Sequence, residues 1–156
     1  MTTELWSPRV AGLDDSDDVA RLLHDFNTEF EAPSPGPAPL SKRLRALLTG
    51  DDTFAVLVGE PAVGVGLVTT RPNVWYEGPV ALLDELYVAP HARGRGAGSA
   101  LIGLVLETCR RRGVDLLEIN VDEGDVDAQR FYSRHGFSWS EPDSEEKAFY
   151  FRMALT

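Results

Sequence analysis

The sequence predicts an α/β fold with a mixed, mostly antiparallel sheet, and three observations predict it. Thr53–Val58, Val63–Thr70 and Val80–Val88 are apolar, β-branched runs separated by turn signals, the pattern of an antiparallel meander. The third run passes through a glycine-rich loop into a stretch of helical spacing, Ala97–Arg112, and then into Leu116–Val121. That order is a βαβ unit, whose two strands are parallel neighbours. Elsewhere apolar residues recur three and four apart, so about four helices cover the sheet.

Each element has its own warrant. Val10 opens a short first strand. Asp14-Asp15-Ser16-Asp17-Asp18 reads as a helix start, with a capping side chain and carboxylates favoured by the dipole. Val19, Leu22, Leu23, Phe26 and Phe30 then share one buried face. Glu31–Leu40 carries prolines at 33, 35, 37 and 39 and reads as a loop. Ser41 is expected to cap a short helix that buries Leu44, Leu47 and Leu48 and stops at Gly50. Gly59-Glu60-Pro61 and Asn73–Pro79 are the turns of the meander, and Gly64 and Gly66 weaken its second strand without breaking it. Leu101, Ile102, Val105, Leu106 and Cys109 form the inner face of the next helix, which Gly113 ends. Asp125–His135 is a further amphipathic helix with Ala128, Phe131 and Tyr132 inward and Gly136 closing it. Phe137-Ser138-Trp139 and Phe149–Leu155 are expected to be a final strand pair.

Composition narrows the function. A chain of 156 residues with 43% hydrophobic and 26% charged residues fits one globular domain spanning 1–156. Fifteen basic against twenty-five acidic residues, net −10, argue against nucleic acid as the main partner and suit a cationic substrate. No apolar run reaches the roughly 18 residues of a membrane span, and Met1–Trp6 lacks the features of a signal peptide. The single cysteine, Cys109, allows no internal disulfide and no cysteine metal cluster; no metal is expected. A cytoplasmic homodimer is the expected setting.

The chemistry concentrates in Leu86-Tyr87-Val88-Ala89-Pro90-His91-Ala92-Arg93-Gly94-Arg95-Gly96-Ala97-Gly98-Ser99. Alternating glycines let backbone N–H groups converge, and the helix start behind them adds partial positive charge, so the place suits a phosphate. It is not the dinucleotide fingerprint G-x-G-x-x-G, because Ser99 stands where the third glycine belongs and the loop follows a meander. It is not a P-loop, since no Gly-Lys-Ser/Thr follows. The pattern that does match is the acyl-CoA loop R/Q-x-x-G-x-G/A, present as Arg93-x-x-Gly96-x-Gly98. A second motif agrees: Asn-x-x-Ala-x-x-Phe-Tyr-x-x-x-Gly-Phe appears as Asp125 through Ala128, Phe131 and Tyr132 to Gly136-Phe137.

On these two motifs the chain resembles the GCN5-related N-acetyltransferase (GNAT) superfamily from about Thr53 to His135, most strongly over Glu85–Ser99. The resemblance implies a GNAT fold, with the parallel strand pair splayed at the centre of the sheet, and acetyl-CoA as cosubstrate. Leu86 and Val88 would bond the pantetheine arm as an added strand, with Tyr87 between them. Arg93, Gly94, Arg95, Gly96, Ala97, Gly98 and Ser99 would hold the pyrophosphate. The Val88 N–H would also polarise the thioester carbonyl. Tyr132 is the candidate general acid toward the leaving thiolate. Glu85 is the candidate general base, with Asp84 second; strand alternation puts those two on opposite faces.

Asp125 departs from the usual asparagine. It keeps an acceptor and the capping ability but lacks the amide donor, for which Asn120 is a substitute. Trp75 and Tyr76, with the proline loop from Ala32 to Leu40, are the expected acceptor pocket, since aromatic faces beside carboxylates welcome an alkylammonium. Cys109, on a buried face, excludes itself as a covalent carrier. The expected reaction is acetyl transfer to a primary amine of a small molecule, polyamine- or aminoglycoside-like, in a ternary complex. The alternatives are a protein lysine or N-terminal acetyltransferase, and an acyl-CoA-binding regulatory module without turnover.

Overall fold

The computed structural model describes residues 6–156, which form two compact units, one running up to Ile119 and the other Asn120–Thr156. The reading of the extreme N-terminus falls largely on residues 1–5, outside the described residues.

The first unit holds a five-stranded sheet in the order β1 (Arg9–Val10), β2 (Thr53–Val58), β3 (Gly64–Arg71), β4 (Val80–Val88), β5 (Leu116–Glu118). The first four strands are antiparallel neighbours, and β5 runs parallel to β4 after the crossover helix α3 (Ala97–Arg111). Meander and βαβ unit are therefore as the sequence predicts. β5 is the sheet's outer strand among the described residues, so the parallel pair lies at an edge. It stops at Glu118, short of the expected Val121.

Helices α1 (Ser16–Glu29) and α2 (Pro37–Thr49) cover one face of the sheet. Val19, Ala20, Leu22 and Leu44 pack there on Ala55, Leu57, Val65 and Tyr87. Helix α3 covers the other face. Gly64 and Gly66 mark how closely it approaches: a Cβ on Gly64 would stand 3.0 Å from Leu101 Cδ1, and one on Gly66 3.5 Å from Val105 Cγ2. An added Cβ would also stand 2.9 Å from a valine methyl of β2, Val58 Cγ1 at Gly64 and Val56 Cγ2 at Gly66, so the close approach of β2 and α3 is why the strand keeps these glycines. With both faces covered, β2 is buried along its whole length and reads as a continuous apolar run.

Four local expectations change. Helix α2 begins at Pro37, inside the expected proline loop, with Gly36 as N-cap. The first helical turn needs no N–H from its residues, so Pro37 and Pro39 are compatible with it. Ser41 consequently lies within α2, buried, and its hydroxyl donates to Asp17 Oδ1 instead of capping. Asp15 stands at the N-cap of α1 without a side-chain cap bond; its Oδ2 accepts from Arg9 Nη1 at 2.7 Å and Gly12 N–H at 2.8 Å. Phe30 and Leu47, expected inward, are exposed.

The second unit contains helix α4 (Val126–Arg134). Among the described residues neither Phe137–Trp139 nor Phe149–Leu155 forms a strand. No helix among the described residues is long and apolar enough to cross a membrane.

Candidate active site

The site in the first unit is made by an asymmetry of β4. On one side β4 pairs with β3 from Val80 to Val88. On the other it pairs with β5 over Val80–Leu82 alone. From Leu83 onward that edge of β4 has no strand beside it among the described residues. Ala89 N–H donates to Val63 O at 2.8 Å, and successive amides along a strand point to alternate sides. The N–H groups of Leu86 and Val88 therefore point to the open edge, and that of Tyr87 points toward β3.

The register also re-aims the carboxylates. Leu83 pairs with Val68 and Glu85 with Leu67, with a shift between them that leaves Asp84 unpaired in the ladder. Val68 and Leu67 are consecutive and face opposite sides of the sheet, so Leu83 and Glu85 also face opposite sides, although they are two apart. The bulge turns Glu85 onto the face of α1. Asp84 does not point the other way, as simple alternation predicts: its Oδ2 accepts from Thr69 Oγ1 at 2.7 Å, and Thr69 shares a face with Leu67. The expectation of opposite faces is thus overturned by the bulge. Burial pushes the Glu85 carboxyl above its usual range, and the neighbouring negative charge of Asp84 pushes it the same way.

Beyond Val88 the chain turns through Pro90–Ala92 and reaches α3 through Gly94 at φ +75° and Gly96 at φ +87°. Both angles lie in the left-handed region that glycine enters without a Cβ clash. Gly96 is the N-cap of α3. Ala100 N–H is the first to reach back, to Gly96 O at 3.0 Å, so the amides of Ala97–Ser99 form the positive end of the helix. Trp6 Nε1 donates to Arg95 O at 2.8 Å and ties the N-terminal segment to this loop.

Arg93 does something the motif does not foretell. Its Nη2 donates to both oxygens of Glu29 at 2.8 Å, and its Nε donates to Val88 O at 2.8 Å. Tyr87 Oη donates to the same Glu29 at 3.1 Å, and the Tyr87 ring stacks on Phe26 at 4.9 Å. Burial, followed by its hydrogen bond to Glu29, pushes the Tyr87 phenol up to about 12. The side chains of Arg93 and Tyr87 thus lock the end of β4 to the end of α1, and only the Tyr87 backbone lies along the strand edge. Glu29 and Phe26 complete this lock. Sequence reading assigns Phe26 to the core and gives Glu29 no part.

The two halves of the expected acceptor pocket separate. Trp75 (85% exposed) and Tyr76 lie in the turn before Val80, while the end of α1, and with it the α1–α2 loop, is fastened at Tyr87 and Arg93. At a strand's rise these places are roughly 25 Å apart along β4. Beside the β3–β4 turn lies a shallow cavity of about 590 Å³ lined by Asp52, Arg71, Asn73, Glu77 and Arg112 among others. Cys109 is buried, and burial raises its thiol above the ordinary range, away from thiolate chemistry.

In the second unit Asp125 caps α4 as expected, its Oδ1 accepting from Ala128 N–H at 3.0 Å. Tyr132 is buried, its ring edge-on to Phe131 at 5.2 Å and Phe137 at 5.5 Å. Asn120 is exposed and lies beyond the end of β5.

Residues 18–137 match the acetyltransferase (GNAT) family, and the chain belongs to it. A crystal structure from Arthrobacter sp. FB24 is 49% identical over 99% of both chains, with a TM-score of 0.91. The aminoglycoside acetyltransferase meta-AAC0020 from an uncultured soil metagenomic sample, solved with sisomicin, has the same fold at 20% identity, over 97% of both chains with a TM-score of 0.79. The mycothiol acetyltransferase of Beutenbergia cavernae is 38% identical over 42% of this chain and 23% of its own length. The match thus spans about a quarter of that relative.

Proposed function

We propose that residues 1–156 form one N-acetyltransferase domain, acting in the cytoplasm, that moves acetyl from acetyl-CoA to a primary amine of a small molecule. The observation that carries this reading is the open edge of β4 from Leu83 to Val88, leading straight into the glycine loop and the N-terminus of α3. The pantetheine arm is a chain of amides and fits beside that edge as a strand, bonded to Leu86 and Val88. The pyrophosphate fits the loop from Arg93 to Ser99, with the α3 dipole behind it. Asp125 and Asn120 are the polar groups we assign to the pantetheine from the second unit. The family match spans both units, which supports treating them as one domain.

In this reading the amine nitrogen attacks the thioester carbonyl carbon. Glu85 takes the ammonium proton, a task that its raised affinity for protons favours. The Val88 N–H stabilises the oxyanion that forms. The C–S bond then breaks, the amide is released, and Tyr132 returns a proton to the CoA thiolate. A small-molecule amine is favoured by the net charge of −10 and by the relatives named as mycothiol and aminoglycoside acetyltransferases.

The test is release of free CoA thiol across a panel of polyamines, aminoglycosides and lysine peptides. At least one small amine should turn over faster than every peptide. Tyr132→Phe should slow that turnover by about a hundredfold while leaving acetyl-CoA affinity within a few-fold. Unchanged turnover removes the acid role. Tight CoA binding with no thiol release on any amine removes the enzyme reading and leaves a regulatory acyl-CoA-binding module.

A further inference from the structure

A glycine loop does not fix the direction of its own peptide groups. Gly94 at φ +75° and Gly96 at φ +87° stand on either side of Arg95. Glycine takes positive and negative φ with nearly equal ease. The peptide joining Arg95 to Gly96 can therefore turn over through a coupled change of the angles beside it, the change that separates type I from type II turns. Turning it over exchanges the places of a carbonyl and an N–H. At a seat for an anion, one orientation attracts and the other repels.

Two carbonyls before this peptide are held by arginines of the loop itself: Arg93 Nε donates to Val88 O at 2.8 Å, and Arg95 Nη2 donates to His91 O at 2.5 Å. The carbonyl of Arg95 is held from 89 positions away, where Trp6 Nε1 donates to it at 2.8 Å. The indole also lies close to the glycine, with Cδ1 4.0 Å from where a Cβ on Gly96 would stand. This peptide is trans, so its C=O and N–H point in opposite directions. Holding Arg95 O toward the indole turns the Gly96 N–H away from it. Among the described residues no backbone carbonyl accepts from that N–H. An indole N–H is a donor with nothing to accept, so it supports this orientation of the peptide and not the reverse. A carbonyl that accepts a hydrogen bond also polarises its own peptide and makes the attached N–H a stronger donor.

Resting on the acyl-CoA reading of the loop, we propose that Trp6 is a positioning residue for it. Its indole N–H holds the Arg95–Gly96 peptide in the orientation that offers the Gly96 N–H to the pyrophosphate, beside the N-terminus of α3. Trp6 touches no reacting atom. It acts on affinity at the pyrophosphate end of the cosubstrate, and the thioester end is outside its reach.

Trp6→Phe keeps an aromatic ring and removes the N–H. Two-dimensional 15N–1H spectra of the full chain test it in titrations with acetyl-CoA and with S-acetylpantetheine, which has the thioester and the amides but no pyrophosphate. The variant should bind acetyl-CoA about tenfold more weakly and S-acetylpantetheine within twofold of wild type. In the wild-type chain the Gly96 amide proton should move downfield on binding acetyl-CoA and stay in place with S-acetylpantetheine. Equal acetyl-CoA affinity in the two proteins overturns the proposal, and so does an equal loss for both ligands, which marks a general disturbance. A wild-type Gly96 amide that ignores bound acetyl-CoA overturns it without any variant. Failure of wild type to bind acetyl-CoA overturns the reading of the loop itself, so the two failures are distinct.

Discussion

The two halves of β4 are built from similar residues and serve different ends. Over Val80–Leu82 the strand has a neighbour on each side, and Val80, Ala81 and the following Leu83 are buried. Over Glu85–Val88 it has, among the described residues, a neighbour on one side only, and Glu85, Leu86 and Val88 are half-buried. The bulge at Asp84 stands between the two halves and switches which face the side chains occupy. The comparison teaches that one strand can divide its labour, with stability in the paired half and exposed amides with a perturbed carboxyl in the open half.

The largest effect expected from breaking this division is on the paired half. Leu83 is 1% exposed, and Leu83→Ala should cost about 3 kcal/mol in chemical denaturation. Leu86→Ala, in the open half, should cost no more than about half of that. Equal losses would erase the distinction.

Next in size is the loop that the open half feeds. Gly96→Ala places a Cβ at φ +87° and should cost about 1 kcal/mol of stability. It should also weaken acetyl-CoA binding by at least about tenfold, because the loop amides shift with the strain. Titration calorimetry and a melt on the same variant separate the two effects.

The smallest effect is on pH dependence, and its sign is set by Glu85. Burial and Asp84 raise this carboxyl in the folded state, so the folded protein holds the proton more tightly than the unfolded chain. Ionising Glu85 therefore costs stability once the pH exceeds its folded-state value, and nothing below the ordinary carboxylate range. Glu85→Gln should melt higher than wild type at mildly alkaline pH, and the gap should close on acidification. A gap that widens in acid reverses the assigned environment.

The parts of the molecule legible in sequence are those set by local pattern. The meander, the βαβ unit, the glycine loop and the Asp125 cap follow from spacing and turn chemistry. The start of α2 was hidden because proline breaks helices everywhere except in the first turn, where Pro37 and Pro39 sit. The bulge has no sequence signature of its own: Asp84 is an uncommon strand residue, but that does not say where the ladder shifts, and alternation alone places Asp84 and Glu85 on opposite faces. Glu29 is 64 positions from Arg93, beyond any periodicity. Phe149–Leu155 shows the same limit from the other side: its apolar pattern predicts a strand, and among the described residues the segment is not one.

The central claim is that the open edge of β4 and the loop behind it hold acyl-CoA. Titration calorimetry of acetyl-CoA into the wild-type chain, with NAD and ATP as controls, tests it most directly. The account predicts saturable binding of one acetyl-CoA per chain, much weaker in Gly96→Ala, and no comparable heat from either control. Absence of acetyl-CoA binding, or binding that Gly96→Ala leaves untouched, would contradict it.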